Sequence, residues 1–127
     1  MVKKPNNKFS VSAKKRIPSK LPRHSLEKMA MIFGAFADAT RLGILQELRT
    51  ERLSVGALVE LLGTSQANIS KHLKLLHSAG LVIREREKTQ VFYRVEEEAV
   101  YEMCKYACKR LNDNASAHAV EADDYFG

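Results

Sequence analysis

Between Ser65 and Leu76 the apolar residues Ile69, Leu73 and Leu76 recur at spacings of four and three, the interval that aligns one stripe of an α-helix. Gln66, Ala67, Ser70, Lys71 and Lys74 fall on a different face. The same periodicity runs through Val55 to Leu62 as Leu58, Leu61 and Leu62, with Ser54 placed as an N-cap. Gly63-Thr64 breaks the chain between the two segments. Gly63 can take the left-handed conformation that ends a helix, and Ser65 caps the segment that follows. Ala79-Gly80 closes that segment. The spacing predicts two short helices around a tight turn, a helix-turn-helix.

Helical spacing then gives way to alternation. Leu81 to Glu87 alternates loosely, and Gln90 to Val95 puts Val91, Tyr93 and Val95 on one side. This predicts a β-hairpin, with Lys88-Thr89 at its tip in place of the Asn-Gly or Asp-Gly of the tightest turns. Arg84, Arg86, Lys88 and Arg94 surround it, and a basic hairpin directly after a helix-turn-helix is a wing. Upstream, Leu26, Met29, Ala30, Phe33 and Phe36-Ala37 give a helix over 25–37 one broad apolar side, with Ser25 at its cap. Asp38 caps the next helix, whose stripe is Leu42, Leu45 and Leu48. A last helix, from about Glu97 to Leu111, carries Val100, Met103, Ala107 and Leu111 as its stripe, with Cys104 inside it and Cys108 toward its margin. The predicted fold class is mostly α with a small β-hairpin, a winged helix-turn-helix.

The polar face of the second helix of the pair has amides and hydroxyls near its N-terminus and lysines further along. Such side chains match base edges in a major groove and phosphates beside it. Ser65, Gln66, Ala67, Asn68, Ser70, Lys71 and Lys74, with Arg86, Lys88 and Gln90 of the wing, are the candidate DNA-binding residues. A winged helix used for protein contact is the alternative that fold alone leaves open. It predicts an acidic or apolar reading face, and the lysines and amides favour DNA. An enzyme is not expected: no nucleophile–base constellation, Gly-rich phosphate loop or carboxylate pair in an evident pocket appears. No cofactor is implied.

Length and charge narrow the picture. The 127 residues leave room for one domain and tails, and so small a helical domain gains from burying surface against a twin. Of the net charge of +6, residues 1–24 contribute eight bases and no acid, and hold all three prolines. That stretch reads as a flexible basic arm able to reach phosphates beside an operator, or simply as a solvated tail. Residues 25–111 form the DNA-binding and dimerisation domain. Residues 112–127 carry four acids and no base, are expected to be disordered, and are assigned no function. No stretch is long and apolar enough to span a membrane, and two cysteines imply no disulfide framework. A cytoplasmic, reduced setting fits best.

Phe36-Ala37-Asp38-Ala39-Thr40-Arg41-Leu42-Gly43-Ile44-Leu45, Leu53-Ser54-Val55, Leu58 to Leu62, Ser65-Gln66, Ser70-Lys71-His72-Leu73, Leu81-Val82 and Val91-Phe92-Tyr93-Arg94 together resemble the ArsR family over roughly residues 26 to 111. These are small dimeric bacterial and archaeal repressors that usually sense metals, metalloids or redox species. The resemblance implies the order α-α-α-α-β-β-α, a homodimer built on the first and last helices, and a double-stranded inverted-repeat operator. It places Gln66, Ala67, Ser70 and Lys71 where members commonly touch DNA.

The two best-known metal sites of that family are missing. Ser54-Val55-Gly56 stands where soft-metal sensors often carry Cys-Val-Cys. Glu97, Ala99, Arg110 and Asp113 stand where a second site has Asp, His, His and Glu, so no imidazole survives. What remains is Cys104 and Cys108, four apart on one helix face. They are candidates for a redox or reactive-sulfur signal, for a soft metal or metalloid, or for plain packing. Lys105, Lys109 and Arg110 nearby would favour the reactive thiolate. Some ArsR-like sensors pair a cysteine of the second helix with one of the last, and here the second helix has none. His24 and His118 fall in the tails and His77 closes the reading helix, all read as solvated. His72 packs or hydrogen-bonds beside the stripe, and Arg41 reads as a structural ion partner rather than a DNA contact.

Overall fold

The computed structural model describes residues 20–114. Five helices and two strands follow in the order α1 (Arg23–Phe36), α2 (Ala39–Glu47), α3 (Val55–Leu62), α4 (Gln66–Ser78), β1 (Ile83–Glu87), β2 (Gln90–Arg94) and α5 (Ala99–Asn114). Residues 1–19 of the basic arm and 115–127 of the acidic tail, His118 included, lie outside the described residues.

Local chemistry sets most boundaries. Asp38 accepts a hydrogen bond from the Arg41 N–H at the start of α2, Ser54 from Ala57 at the start of α3, and Ser65 from Asn68 at the start of α4. Each satisfies one of the backbone donors that a helix N-terminus leaves over. Gly63 ends α3 at φ 66°, ψ 34°, the left-handed geometry that costs a residue with a Cβ. Helix α1 departs from expectation at its start. It begins at Arg23 with Pro22 in the cap position and no side-chain cap, so Ser25 lies in its first turn. Proline's fixed φ is suited to opening a helix and it has no N–H to satisfy. Arg23 and His24, read as the end of the arm, are therefore helical, as are Asn112 and Asp113 at the other end.

The hairpin pairs Ile83 with Arg94 through Glu87 with Gln90, leaving Lys88-Thr89 as a two-residue loop. Lys88 sits at φ 58°, which supplies the left-handed step that a tight hairpin needs and that glycine would supply without strain. Leu53 adds a short bridge to Tyr93, with both backbone bonds made, at 3.0 and 2.8 Å.

Ile44, Leu45, Leu48, Leu58, Ile69, Leu73 and Leu76 form the centre of the core, joined by Ala35, Leu81, Val82, Val100 and Tyr101. In α2, Ile44 is buried and Leu42 only half so. Helix α5 turns a different side inward from the one expected. Val100, Tyr101, Cys104 and Cys108 are buried, while Met103 and Leu111 are exposed and Ala107 with them. The reason is Tyr101, whose hydroxyl donates to the Leu45 carbonyl at 2.7 Å and so anchors that face to α2. Cys108 consequently moves from the margin to the buried side. The broad apolar side of α1 is likewise unburied within one subunit: Leu26, Met29, Ile32 and Phe33 remain exposed, and only Ala35 is fully covered. A single subunit offers α1 little surface to pack on.

Candidate nucleic-acid interface

Helix α4 divides cleanly. Ile69, His72, Leu73 and Leu76 face inward, and Gln66, Ala67, Ser70, Lys71 and Lys74 are exposed. The inward residues lock the rotation of the helix, so the outward residues form one continuous strip starting at its first turn. Backbone N–H groups and a positive dipole end there add to the attraction for phosphate. His77, in the last turn, is exposed.

Two residues of the predicted face have local duties. Ser65 is exposed, but its hydroxyl serves as the cap of α4, accepting from the Asn68 N–H at 3.1 Å. Asn68 is half-buried and its Nδ2 donates to Thr64 Oγ1 at 3.0 Å. Its amide therefore braces the turn rather than joining the outward strip, a correction to its placement among the DNA-binding candidates. The signal was readable, since an Asn four residues after a Thr at a helix start lies one turn above it.

The wing is two-sided. Arg86, Lys88 and Gln90 are all exposed, and Arg86 Nε donates to the Lys88 carbonyl at 3.2 Å, bracing the tip. Register puts Arg84 and Arg86 on one face and Glu85, Glu87, Phe92 and Arg94 on the other. On the second face Arg94 pairs with Glu85 at 2.6 Å and with Glu96 at 3.5 Å. Arg52, in the loop after α2, pairs with both Glu85 and Glu87 and stacks over the Phe92 ring, 4.3 Å from its centroid. These contacts hold the Glu85 carboxyl below the usual carboxylate range, the Arg94 hydrogen bond being the largest cause. Arg94, counted with the basic wing from sequence, is thus neutralised by its neighbours. Arg52 escaped sequence reasoning because its partners lie 33 and 35 residues away.

Behind α4 lies a polar junction. Arg41 Nε donates to the Ala35 carbonyl at 2.8 Å and one terminal nitrogen to the Gly34 carbonyl at 3.1 Å. Its other terminal nitrogen is 3.0 Å from His72 Nδ1. His72 Nε2 in turn lies 3.8 Å from Asp38 Oδ2. Arg41 thus holds the structural role expected of it, and His72 hydrogen-bonds beside the stripe. Asp38 is kept below its usual range, chiefly by the Arg41 N–H.

Cys104 and Cys108 are buried. Burial, with Cys108 adding to it, pushes the Cys104 thiol up to about 11. The expected activation by Lys105, Lys109 and Arg110 is overturned at Cys104, where desolvation is the largest influence on the thiol. Arg110 itself pairs with Asp113 at 3.8 Å. Among the described residues no group of three or more His, Cys, Asp or Glu is placed to hold a metal ion, and no helix is long and apolar enough to cross a membrane.

Comparison with known proteins adds relatives to this geometry. A helix-turn-helix domain model matches residues 36–85. The HTH-type transcriptional regulator KmtR of Mycobacterium tuberculosis is 36% identical over 86 residues, covering 68% of this chain and 66% of that protein. The chain thus spans slightly less than two thirds of KmtR's length. An uncharacterized HTH-type transcriptional regulator of Methanocaldococcus jannaschii, MJ1325, is 40% identical over 80 residues, covering 62% of this chain and 90% of that protein. Among solved structures, the homodimeric winged helix-turn-helix DNA-binding domain of Mb0332 from Mycobacterium bovis, a possible ArsR-family transcriptional regulator, superposes with a TM-score of 0.67 at 26% identity. The match covers 83% of this chain and 99% of that one.

Proposed function

Because this chain belongs to the ArsR family of winged helix-turn-helix regulators, we propose that it is a sequence-specific DNA-binding repressor. It acts as a homodimer on an inverted repeat, with one α4 in each of two major grooves and the wing beside it. The observation that carries this reading is the outward strip of α4, where Gln66, Ala67 and Ser70 precede Lys71 and Lys74 with no acidic residue between. The homodimeric Mb0332 domain and the uncovered apolar faces of α1 and α5 support the paired state. The experiment is selection of duplexes from a random pool by the purified protein, followed by footprinting. A selected inverted repeat protected at half-sites about one helical turn apart supports the reading, and failure to enrich any sequence rejects it.

The wing offers a variant that separates fold from binding. Lys88→Gly is expected to raise stability by roughly 1 kcal/mol, by relieving the left-handed backbone of a residue with a Cβ. It should also lower the salt slope of DNA binding by about 1, by removing one phosphate partner. Denaturant midpoints and affinity at several salt concentrations read the two effects. An unchanged slope would remove Lys88 from the interface.

Release by an effector completes the repressor reading, and the cysteines are its candidate receivers, for a redox or reactive-sulfur species or for a soft metal. Their burial supports the packing role instead. The thiolate is the reactive form, so a thiol held at about 11 rather than 9.0 presents about a hundredfold less of it. In a disulfide-exchange assay at pH 7, Cys104 is expected to react at least about a hundredfold more slowly in the native protein than in the unfolded chain. Equal rates would return the pair to the sensing role.

A further inference from the structure

The junction behind the reading helix has a chemistry of its own. A guanidinium only donates hydrogen bonds, so at 3.0 Å from Arg41 His72 Nδ1 must be the acceptor. The ring is then neutral, with its proton on Nε2 facing Asp38 Oδ2 at 3.8 Å. The same guanidinium holds the carbonyls of Gly34 and Ala35 at the end of α1. One side chain therefore ties the last turn of α1 to the middle of α4. Further along, an open groove of about 300 Å³ lined by Met31, Gly34, Ala35, Leu75, Ser78 and Ala79 runs between the two helices.

We propose that Arg41 and His72 form a proton-sensitive latch that sets the position of α4 against α1, and that one proton added to His72 Nδ1 opens it and weakens DNA binding. The proposal rests on the DNA-binding reading above. A proton taken from solvent onto Nδ1 converts an acceptor into a donor, turned toward a permanent cation at hydrogen-bond distance. No protein acceptor remains for that Arg41 nitrogen, and two positive charges meet at a part-buried contact. The contact has to break, and with it goes the tie between α4 and the end of α1 beside the open groove. Asp38 at the α1–α2 junction, Arg41 in the first turn of α2 and Lys71 on α4 are the charged groups acting on the ring. Burial, Lys71 and Arg41 disfavour its charged form, and Asp38 favours it. Burial dominates, so His72 is held below its ordinary 6.5. The neutral, latched form accordingly persists somewhat below 6.5 and is lost only as pH falls through the lowered value. His72 is a positioning residue here, since it acts on DNA through the helix it holds.

The test uses the full chain and a duplex selected from a random pool by the wild-type protein at pH 8, with affinity followed by fluorescence anisotropy down to pH 5. Wild-type affinity is expected to fall by up to about tenfold for each pH unit below the His72 pKa. His72→Asn keeps an oxygen acceptor for Arg41 that does not titrate, so its profile should be flat by comparison whatever its absolute affinity. His24, His77 and His118 are common to both proteins and cancel. Parallel profiles would overturn the latch. If no duplex is enriched even at pH 8, the functional reading fails instead, and the latch is judged by nitrogen-15 NMR of the ring. Expected there is an Nε2–H tautomer whose pKa rises in Arg41→Gln. An Nδ1–H tautomer, or a pKa indifferent to that change, would overturn it.

Discussion

Replacing Phe33 with glutamate is expected to leave a folded single subunit that has lost at least about a hundredfold of its affinity for the operator. Phe33 is 51% exposed in the isolated subunit and lies in an uncovered apolar row with Leu26, Met29 and Ile32. Met103, Tyr106 and Leu111 leave a second such row on α5. Exposed apolar surface on this scale marks an association site. Covering the free half of a phenylalanine is worth on the order of 1 kcal/mol, and a two-fold interface counts each residue twice. The glutamate also brings a charge that must be desolvated without a partner, at a cost of about several kcal/mol. The core of the subunit is untouched, because Phe33 contributes nothing to it. Light scattering after size exclusion, with circular dichroism to confirm folding, reads the first part and anisotropy the second. Lys28→Glu, on the same helix but polar already, is the control. A Phe33→Glu dimer with wild-type affinity would remove α1 from the interface.

The second large effect lies on α4. Gln66→Ala and Lys71→Ala are each expected to weaken operator binding by about 1–3 kcal/mol, and in distinguishable ways. Gln66, in the first turn, offers an amide able to bond a base edge at two points. Its loss should therefore relax discrimination at one position of each half-site while leaving the salt slope alone. Lys71 presents a flexible charge, so its loss should weaken all duplexes nearly uniformly and lower the slope by about 1. Both side chains are exposed and outside the core, so stability should be unchanged. Wild-type affinity in both variants would mean that this strip does not read DNA.

Much of the scaffold behind these expectations is legible in local sequence, for identifiable reasons. Asp38, Ser54 and Ser65 announce helix starts because capping is a contact between residues three apart. Gly63 announces a helix end because the left-handed conformation is a property of one residue. The inward stripe of α4 follows from periodicity alone. Most of what escaped depends on which neighbour a side chain meets once the chain is folded. Helix α5 has apolar residues on two sides, and which side faces the core is decided by Tyr101 reaching Leu45, 56 positions earlier. Arg94 reads as a wing cation, yet Glu85 and Glu96 lie against it, and Arg52 carries no local sign of its contacts with the wing. Asn68 reads as part of a polar face, and only the position of Thr64 shows its amide to be engaged.

Two subunits acting together on one duplex is the premise from which the other expectations descend. Sedimentation velocity of the full chain, alone and with a selected inverted-repeat duplex, tests it most directly. Two protomers in solution and two on each duplex is the expected result. A single protomer in both states, binding with full affinity, would contradict it.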